Sequence, residues 1–220
     1  MTGTGPTAAF FDQLYASQRR YWWKEATRYD RDADAYRHSL LTQMTLRLID
    51  GEPRQRVLDL GAGEGADSIR LALLGHEVTA VEFSRVGAKK IAAFAAEANV
   101  AIRVDTADIQ QYEPTGRYDL VICNGVLHYI ADKAAVIGRM QSATTTGGLN
   151  VISLWSTYSA VPECHSSVPV FCDDEDGIVA DQYRSWTKEL HYYERTKPEG
   201  AHDDMEPHSH SHIKLIARKP

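Results

Sequence analysis

The segment "VLDLGAGEGADSIRLALLGHEVTAVEFS" (57–84) limits the fold more than any other stretch of the chain. A short apolar run breaks into Gly61, Gly63 and Gly65, passes into residues at helical spacing, and is followed by a second apolar run. This reads as strand, tight turn, helix and strand. A helix that starts directly behind such a turn leaves its first backbone N–H groups without partners inside the helix. They point at whatever fills the crevice beside the turn.

With 220 residues, 43% of them apolar, the chain is long enough for one well-buried α/β domain and too short for two ordinary ones. A net charge of −6 and scattered Lys and Arg residues exclude a general polyanion-binding surface, so nucleic acid is not an expected partner. No apolar run approaches the roughly 20 residues that cross a bilayer. The opening "MTGTGPTAAFF" also lacks the basic start and apolar stretch of a leader, so no membrane partner is expected and the expected location is cytoplasmic. Cys123, Cys164 and Cys172 cannot all pair with one another, and Cys123 falls inside an apolar strand pattern where a reduced thiol packs as a small hydrophobe. A disulfide framework is not expected.

Residues 1–50 read as an N-terminal helical extension or lid. Phe11, Leu14 and Tyr15, then Tyr36, Leu40, Leu41, Met44 and Leu48, recur at helical spacing on either side of the acidic turn "YDRDAD", giving two or three helices. Over 51–220, the runs "RVLDLG", "EVTAVE", "AIRVDTAD", "YDLVICNG" and "GLNVISLW" alternate with helical segments at about 67–74, 85–98 and 131–142. Apolar strands separated by helices predict a parallel sheet covered on both faces. "KELHYYERT" and "HSHIKLIARKP" add a C-terminal antiparallel hairpin, making an α/β fold with a mostly parallel seven-stranded sheet. Between them, an insert at about 156–182 has no clean period and is either a functional lid or a misread helix.

The turn alone fits two cofactor classes, because Gly61, Gly63 and Ala66 also satisfy the G-x-G-x-x-G/A pattern of dinucleotide enzymes. Asp59, two residues before Gly61, puts a carboxylate where a dinucleotide would bring its pyrophosphate; it suits an ammonium or sulfonium instead. Glu82 ends the next strand at the spacing where a carboxylate accepts both ribose hydroxyls of an adenosine, a feature common to both classes. "TAD" (106–108) follows the third strand, and the chain finishes in a reversed hairpin. In this order, "DLGAGEG", "VEFS", "TAD" and "CNGVLHYI" resemble the class I S-adenosylmethionine-dependent methyltransferases, whose fold is Rossmann-like. "VICNGVLHYI" and "HIKLIARKP" are most similar to the tellurite-resistance (TehB-like) branch. The resemblance spans 56–154 and the C-terminal strand.

The resemblance implies S-adenosyl-L-methionine as cofactor. It implies Asp59 near the methionine ammonium, backbone at Gly61 and Gly63 along the methionine and ribose, and Glu82 on the ribose hydroxyls. It further implies Phe83 against the adenine face, Asp108 accepting from the adenine amino group, Ile109 as its backbone partner, and Asn124 with its carbonyl toward the ammonium. The strand ends offer no cation for the methionine carboxylate, so Arg28, with Lys24 and Arg31 as alternatives beside Tyr21, Trp22 and Trp23, is expected to fold over and supply it.

Methyl transfer from a sulfonium is an in-line displacement, which asks the protein to align the acceptor and keep the pocket dry. Where the acceptor carries a proton, His128 and Tyr129 after the fourth strand are the candidate bases, with Asn124 beside them. Tyr21, Trp22, Trp155 and Tyr158 are candidate acceptor contacts, either holding the acceptor or packing locally. The branch also carries basic side chains on its terminal hairpin, which makes Arg195, His208 and His210 candidates too. His208, His210 and His212 alternate, so they share one face of a strand. A metal, an anionic acceptor and a plain edge strand each account for the row, but no cysteine or carboxylate stands at ligand spacing within it, and no metal is expected. The expected function is methylation of a small molecule. A cyclase of the azetidine-carboxylate type, which closes a ring within the cofactor and releases methylthioadenosine, is the alternative, followed by a non-catalytic cofactor-binding domain. The acceptor and the oligomeric state stay open.

Overall fold

The computed structural model describes residues 6–18, 40–161, 163, 167–199 and 206–220. Helices α1 (Pro6–Ser17) and α2 (Leu40–Leu48) precede the alternating elements β1 (Arg56–Leu60), α3 (Ala66–Leu73), β2 (Glu77–Glu82), α4 (Arg85–Glu97), β3 (Ile102–Thr106), β4 (Tyr118–Asn124), α5 (Lys133–Ala143) and β5 (Thr144–Trp155). A short helix α6 (Ile178–Gln182) then leads to β6 (Thr187–Glu199) and β7 (His208–Arg218). The described strands form one seven-stranded sheet in the order β3-β2-β1-β4-β5-β7-β6, parallel except where β7 runs against β5 and β6. The fold is the Rossmann-like arrangement expected.

Alternate strand residues feed two cores, one on each side of the sheet. Leu58, Val121, Cys123, Ile152, Leu154, Ile213 and Leu215 pack with Ile137 and Met140 of α5 and with Tyr183 and Trp186. Val57, Leu120, Ile122, Val151 and Ile216 pack on the other side with Leu41 of α2 and Leu71 of α3. This two-sided burial is why β1, β4 and β5 read as continuous apolar runs and not as alternating ones.

The order reverses between β1 and β4, the chain running outward from β1 to β3 and then back across to β4 and β5. Such a switch point opens a crevice at the carboxyl ends of the strands. Helix α1 is tied beside that crevice. Asp12 Oδ1 accepts from Ser84 Oγ (2.5 Å) and from the Val86 N–H (3.2 Å), at the residue that N-caps α4 and at its second helical position. Lys90 Nζ of α4 reaches both the Gln18 carbonyl (2.6 Å) and the buried Glu64 carboxylate (2.6 Å).

Helix α3 and strand β5 start earlier than the apolar pattern indicates. Strand β5 begins at Thr144, which pairs with Tyr118 before an irregularity brings Leu149 opposite Leu120. The insert at 156–182 is not wholly irregular: the Asp173 carboxylate accepts from the N–H groups of Ile178 (3.0 Å) and Val179 (2.9 Å), which starts the five-residue α6. Cys123 and Cys172 are free thiols. Among the described residues no helix is long and apolar enough to cross a membrane. Tyr21, Trp22, Trp23, Lys24, Arg28, Arg31, Tyr36, Cys164 and His202 lie outside the described residues.

Candidate functional site

A cavity of about 1410 Å³ opens at the carboxyl ends of the parallel strands. Its floor is the glycine turn. Gly61 has φ +74°, and a Cβ there would lie 2.5 Å from a Val126 methyl, so the turn packs directly under the loop that follows β4. The Gly61 and Ala62 N–H groups donate to the Val81 carbonyl (2.8 and 3.0 Å), which ties the turn to β2.

Glu82, at the end of β2, is buried and lines the cavity. One carboxylate oxygen accepts from the Gly63 N–H and the other from the Ser84 N–H, each at 2.8 Å. Burial still pushes its pKa up to about 7. Each oxygen keeps further accepting capacity for a diol.

Asp59, at the end of β1, is also buried in the cavity wall, and its carboxylate accepts from Ser68 Oγ at 2.6 Å. Burial first, and the neighbouring Asp67 carboxylate second, push its pKa up to about 7. Asp67 Oδ1 accepts from Thr42 Oγ1 and its Oδ2 from Asn124 Nδ2, both at 3.0 Å. Asn124 lines the cavity, and its Nδ2 is the group that donates to Asp67. Asp67 was not singled out from the sequence, although its place two residues after Gly65, in the first turn of α3, was the available signal.

On the β3 side, Phe83, Asp108 and Ile109 line the cavity. The Asp108 carboxylate accepts from the Gln110 N–H (2.9 Å), which shapes that loop, and Ile109 is buried. Phe11 of α1 packs edge-on against both Phe83 (ring centroids 5.5 Å apart) and Tyr129 (5.3 Å), so α1 walls the cavity from above. With Tyr15 one helical turn later, this is a contribution of α1 that periodicity indicated only as core.

The remaining end of the cavity, beside β4, β5 and β7, is built from rings. The Trp155 indole lies between His128 (centroids 4.2 Å, planes 12° apart) and His210 (4.5 Å, 16°). His208 Nε2 sits 3.0 Å from His210 Nε2, and His208 Nδ1 sits 2.9 Å from the Glu206 carbonyl. A carbonyl only accepts, so the proton of that second contact is on His208 Nδ1. Burial raises the Tyr129 phenol to about 12, so it remains protonated at neutral pH.

Three expected acceptor contacts fall elsewhere. Tyr158 is exposed, and Arg195 lies over its ring at 5.4 Å while pairing with Glu175 at 3.2 Å, both outside the cavity lining. Arg195 follows Glu194, which pairs with His212 on the cavity side, so plain alternation turns Arg195 to the other face, where Tyr193 also reaches Glu175; a bulge comes next, and Lys197 rather than residue 196 pairs with His210. An extra residue swaps the faces beyond it. Lys197 thereby joins His210 and His212 in the cavity wall. His208 stands behind His210 and does not line the cavity. Among the described residues no group of three or more His, Cys, Asp or Glu is arranged to hold a metal ion.

Residues 29–213 match the family model for the methyltransferase domain. The chain belongs to that family. Its cofactor is S-adenosyl-L-methionine, and the residues present fit that group: a buried carboxylate at the end of each of two adjacent strands, no ion pair to Asp59 or Asp67 among the described residues, and ring faces on the β3 side. The chain is 28% identical over 169 residues to Hemagglutinin 1 of Eikenella corrodens, covering 75% of this chain and 55% of that protein. It is 34% identical over 100 residues to a Ubiquinone biosynthesis O-methyltransferase of Caulobacter sp. (strain K31), covering 44% of this chain and 40% of the relative. It thus spans about half the length of these curated relatives. In fold it is similar to TehB from Haemophilus influenzae, with a TM-score of 0.70 at 20% identity over 86% of this chain and 64% of that one. It is also similar to the N-methyltransferase NodS of Bradyrhizobium japonicum WM9, solved with S-adenosyl-L-homocysteine, with a TM-score of 0.66 at 16% identity over 98% of this chain and 99% of that one.

Proposed function

We propose that this chain binds S-adenosyl-L-methionine across the switch point between β1 and β4 and methylates a small molecule at the ring-lined end of the cavity. The observation that carries the reading is the pair of buried carboxylates, Asp59 and Glu82, flanking the glycine turn without a basic partner among the described residues. Buried carboxylates in that state favour a bound cation and hydroxyl donors.

When bound, the cofactor supplies an electrophilic methyl group on a sulfonium. Asp59 receives the ammonium, Glu82 the ribose diol, and Phe83, Asp108 and Ile109 the adenine. Phe11, Tyr129 and Val126 exclude water above the turn, so that fixed dipoles surround the reacting centre. At the far end, His210, His212 and Lys197 orient the acceptor, and an imidazole takes its proton where it carries one. An ammonium held by carboxylates stays protonated and is a poor nucleophile, which favours methyl transfer over ring closure within the cofactor.

Incubation of the full chain with S-adenosylmethionine, alone and with a dihydric phenol, a thiol or selenite, tests the reading by mass spectrometry. Acceptor-dependent S-adenosylhomocysteine is the expected product. Methylthioadenosine formed without an acceptor refutes methyl transfer and supports the cyclase.

A further inference from the structure

Asp67 is not explained by the glycine turn or by the motif order that marks the family. A carboxylate in the first turn of a helix interacts favourably with the helix N-terminus, and an outward-pointing side chain satisfies that role. Here the side chain lines the cavity instead, held from two sides by Thr42 of α2 and Asn124 at the end of β4. Its charge acts on the buried Asp59. Two neighbouring carboxylates without an ion pair among the described residues repel each other and destabilise the empty site, and a cation between them reverses the sign.

Resting on the cofactor reading above, we propose that Asp67 is a second carboxylate for the ammonium of the cofactor's amino-acid end, acting with Asp59, and that Thr42 is the positioning residue that aims it. An ammonium brings three donors and a carboxylate accepts about four bonds, so the two bonds Asp67 already accepts leave room for another. The assignment makes the amino-acid end, and not only the nucleoside, a determinant of what the cavity accepts.

Calorimetric titration of the full chain with S-adenosylhomocysteine and with methylthioadenosine separates the two ends, since methylthioadenosine has the nucleoside and the sulfur but no ammonium. Asp67→Asn preserves shape and is expected to weaken S-adenosylhomocysteine at least tenfold while leaving methylthioadenosine within twofold. Thr42→Val, which leaves both charges in place, is expected to weaken S-adenosylhomocysteine about threefold and methylthioadenosine not at all. Equal losses on the two ligands, or no loss on S-adenosylhomocysteine, overturn the assignment of Asp67 and leave the cofactor reading standing. If the wild-type chain binds neither ligand, the cofactor reading itself falls, and the assignment with it.

Discussion

Lowering the pH from 8 to 6 should weaken cofactor binding by about an order of magnitude, because the site must ionise to receive a cation. The Asp59 pKa is raised to about 7 by burial and by Asp67. At pH 6 roughly a tenth of the empty sites then carry an ionised Asp59, and at pH 8 roughly nine-tenths do. Binding that requires the ionised form loses about tenfold, or about 1.4 kcal/mol, over that interval. Glu82, also raised to about 7 by burial, contributes a second factor of similar size to the extent that the ribose hydroxyls ionise it. Calorimetry with S-adenosylhomocysteine at pH 6, 7 and 8, in two buffers of different ionisation enthalpy, measures both the affinity and the protons released. One to two protons should leave on binding near pH 6 and almost none at pH 8. An affinity that is flat across the interval, or proton uptake, refutes the reasoning. For the empty protein, both groups have folded pKa values above their unfolded ones of about 3.9 and 4.3. Their contribution to stability is therefore full below about pH 4 and is lost as the pH rises through 7.

Glu64→Gln removes the carboxylate from a pair in which Glu64 is fully buried and Lys90 is 16% exposed, and should cost about 3 kcal/mol in denaturant unfolding; a loss below about 1 kcal/mol would show that the Gln18 carbonyl suffices for the ammonium. Gly61→Ala and Gly51→Ala both place a side chain at positive φ, but only the first meets Val126. Gly51→Ala should cost about 1 kcal/mol and Gly61→Ala several times that, with loss of S-adenosylhomocysteine binding; similar costs for the two would refute the steric argument. Asp12→Ala removes the acceptor for Ser84 and Val86 and should cost about 1 kcal/mol. Hydrogen exchange should rise in α1 well before β1, and unchanged protection in α1 would show that its apolar face alone holds it.

The alternating elements were legible in the sequence because β1, β4 and β5 are buried on both sides, so apolar residues occupy both faces of each strand and the helices between them stand out. Asp59 and Glu82 were legible because each ends a strand next to a glycine turn, where position along the chain fixes position in space. The terminal hairpin was legible as strands but not as faces. Arg195 faces Tyr158 and Glu175 because the register, which the sequence does not show, puts Glu194 opposite His212; the bulge between Glu194 and Lys197 carries no glycine or proline, so nothing in the sequence marks the place where Lys197 is brought in. Asp67 was hidden for a different reason: its orientation is set by Thr42 and Asn124, which lie 25 and 57 residues away in the chain.

Trp155 has both faces covered, one by His128 and the other by His210. A flat acceptor therefore has no indole face to lie against and meets only the rim of a three-ring column. Tyr129 closes on the same column, 4.2 Å from His128 and edge-on to Trp155 at 6.0 Å, so in the proposed reaction selection among acceptors rests on the shape of this packed rim more than on aromatic affinity. The column also joins the loop after β4, the end of β5 and strand β7 into one mechanical unit. A relative's terminal hairpin transplanted onto this sheet would have to bring a ring into register with Trp155, or open a gap one ring thick at the mouth of the cavity. In the proposed reaction, changes in acceptor range are in this way coupled to the integrity of the sheet that carries the column.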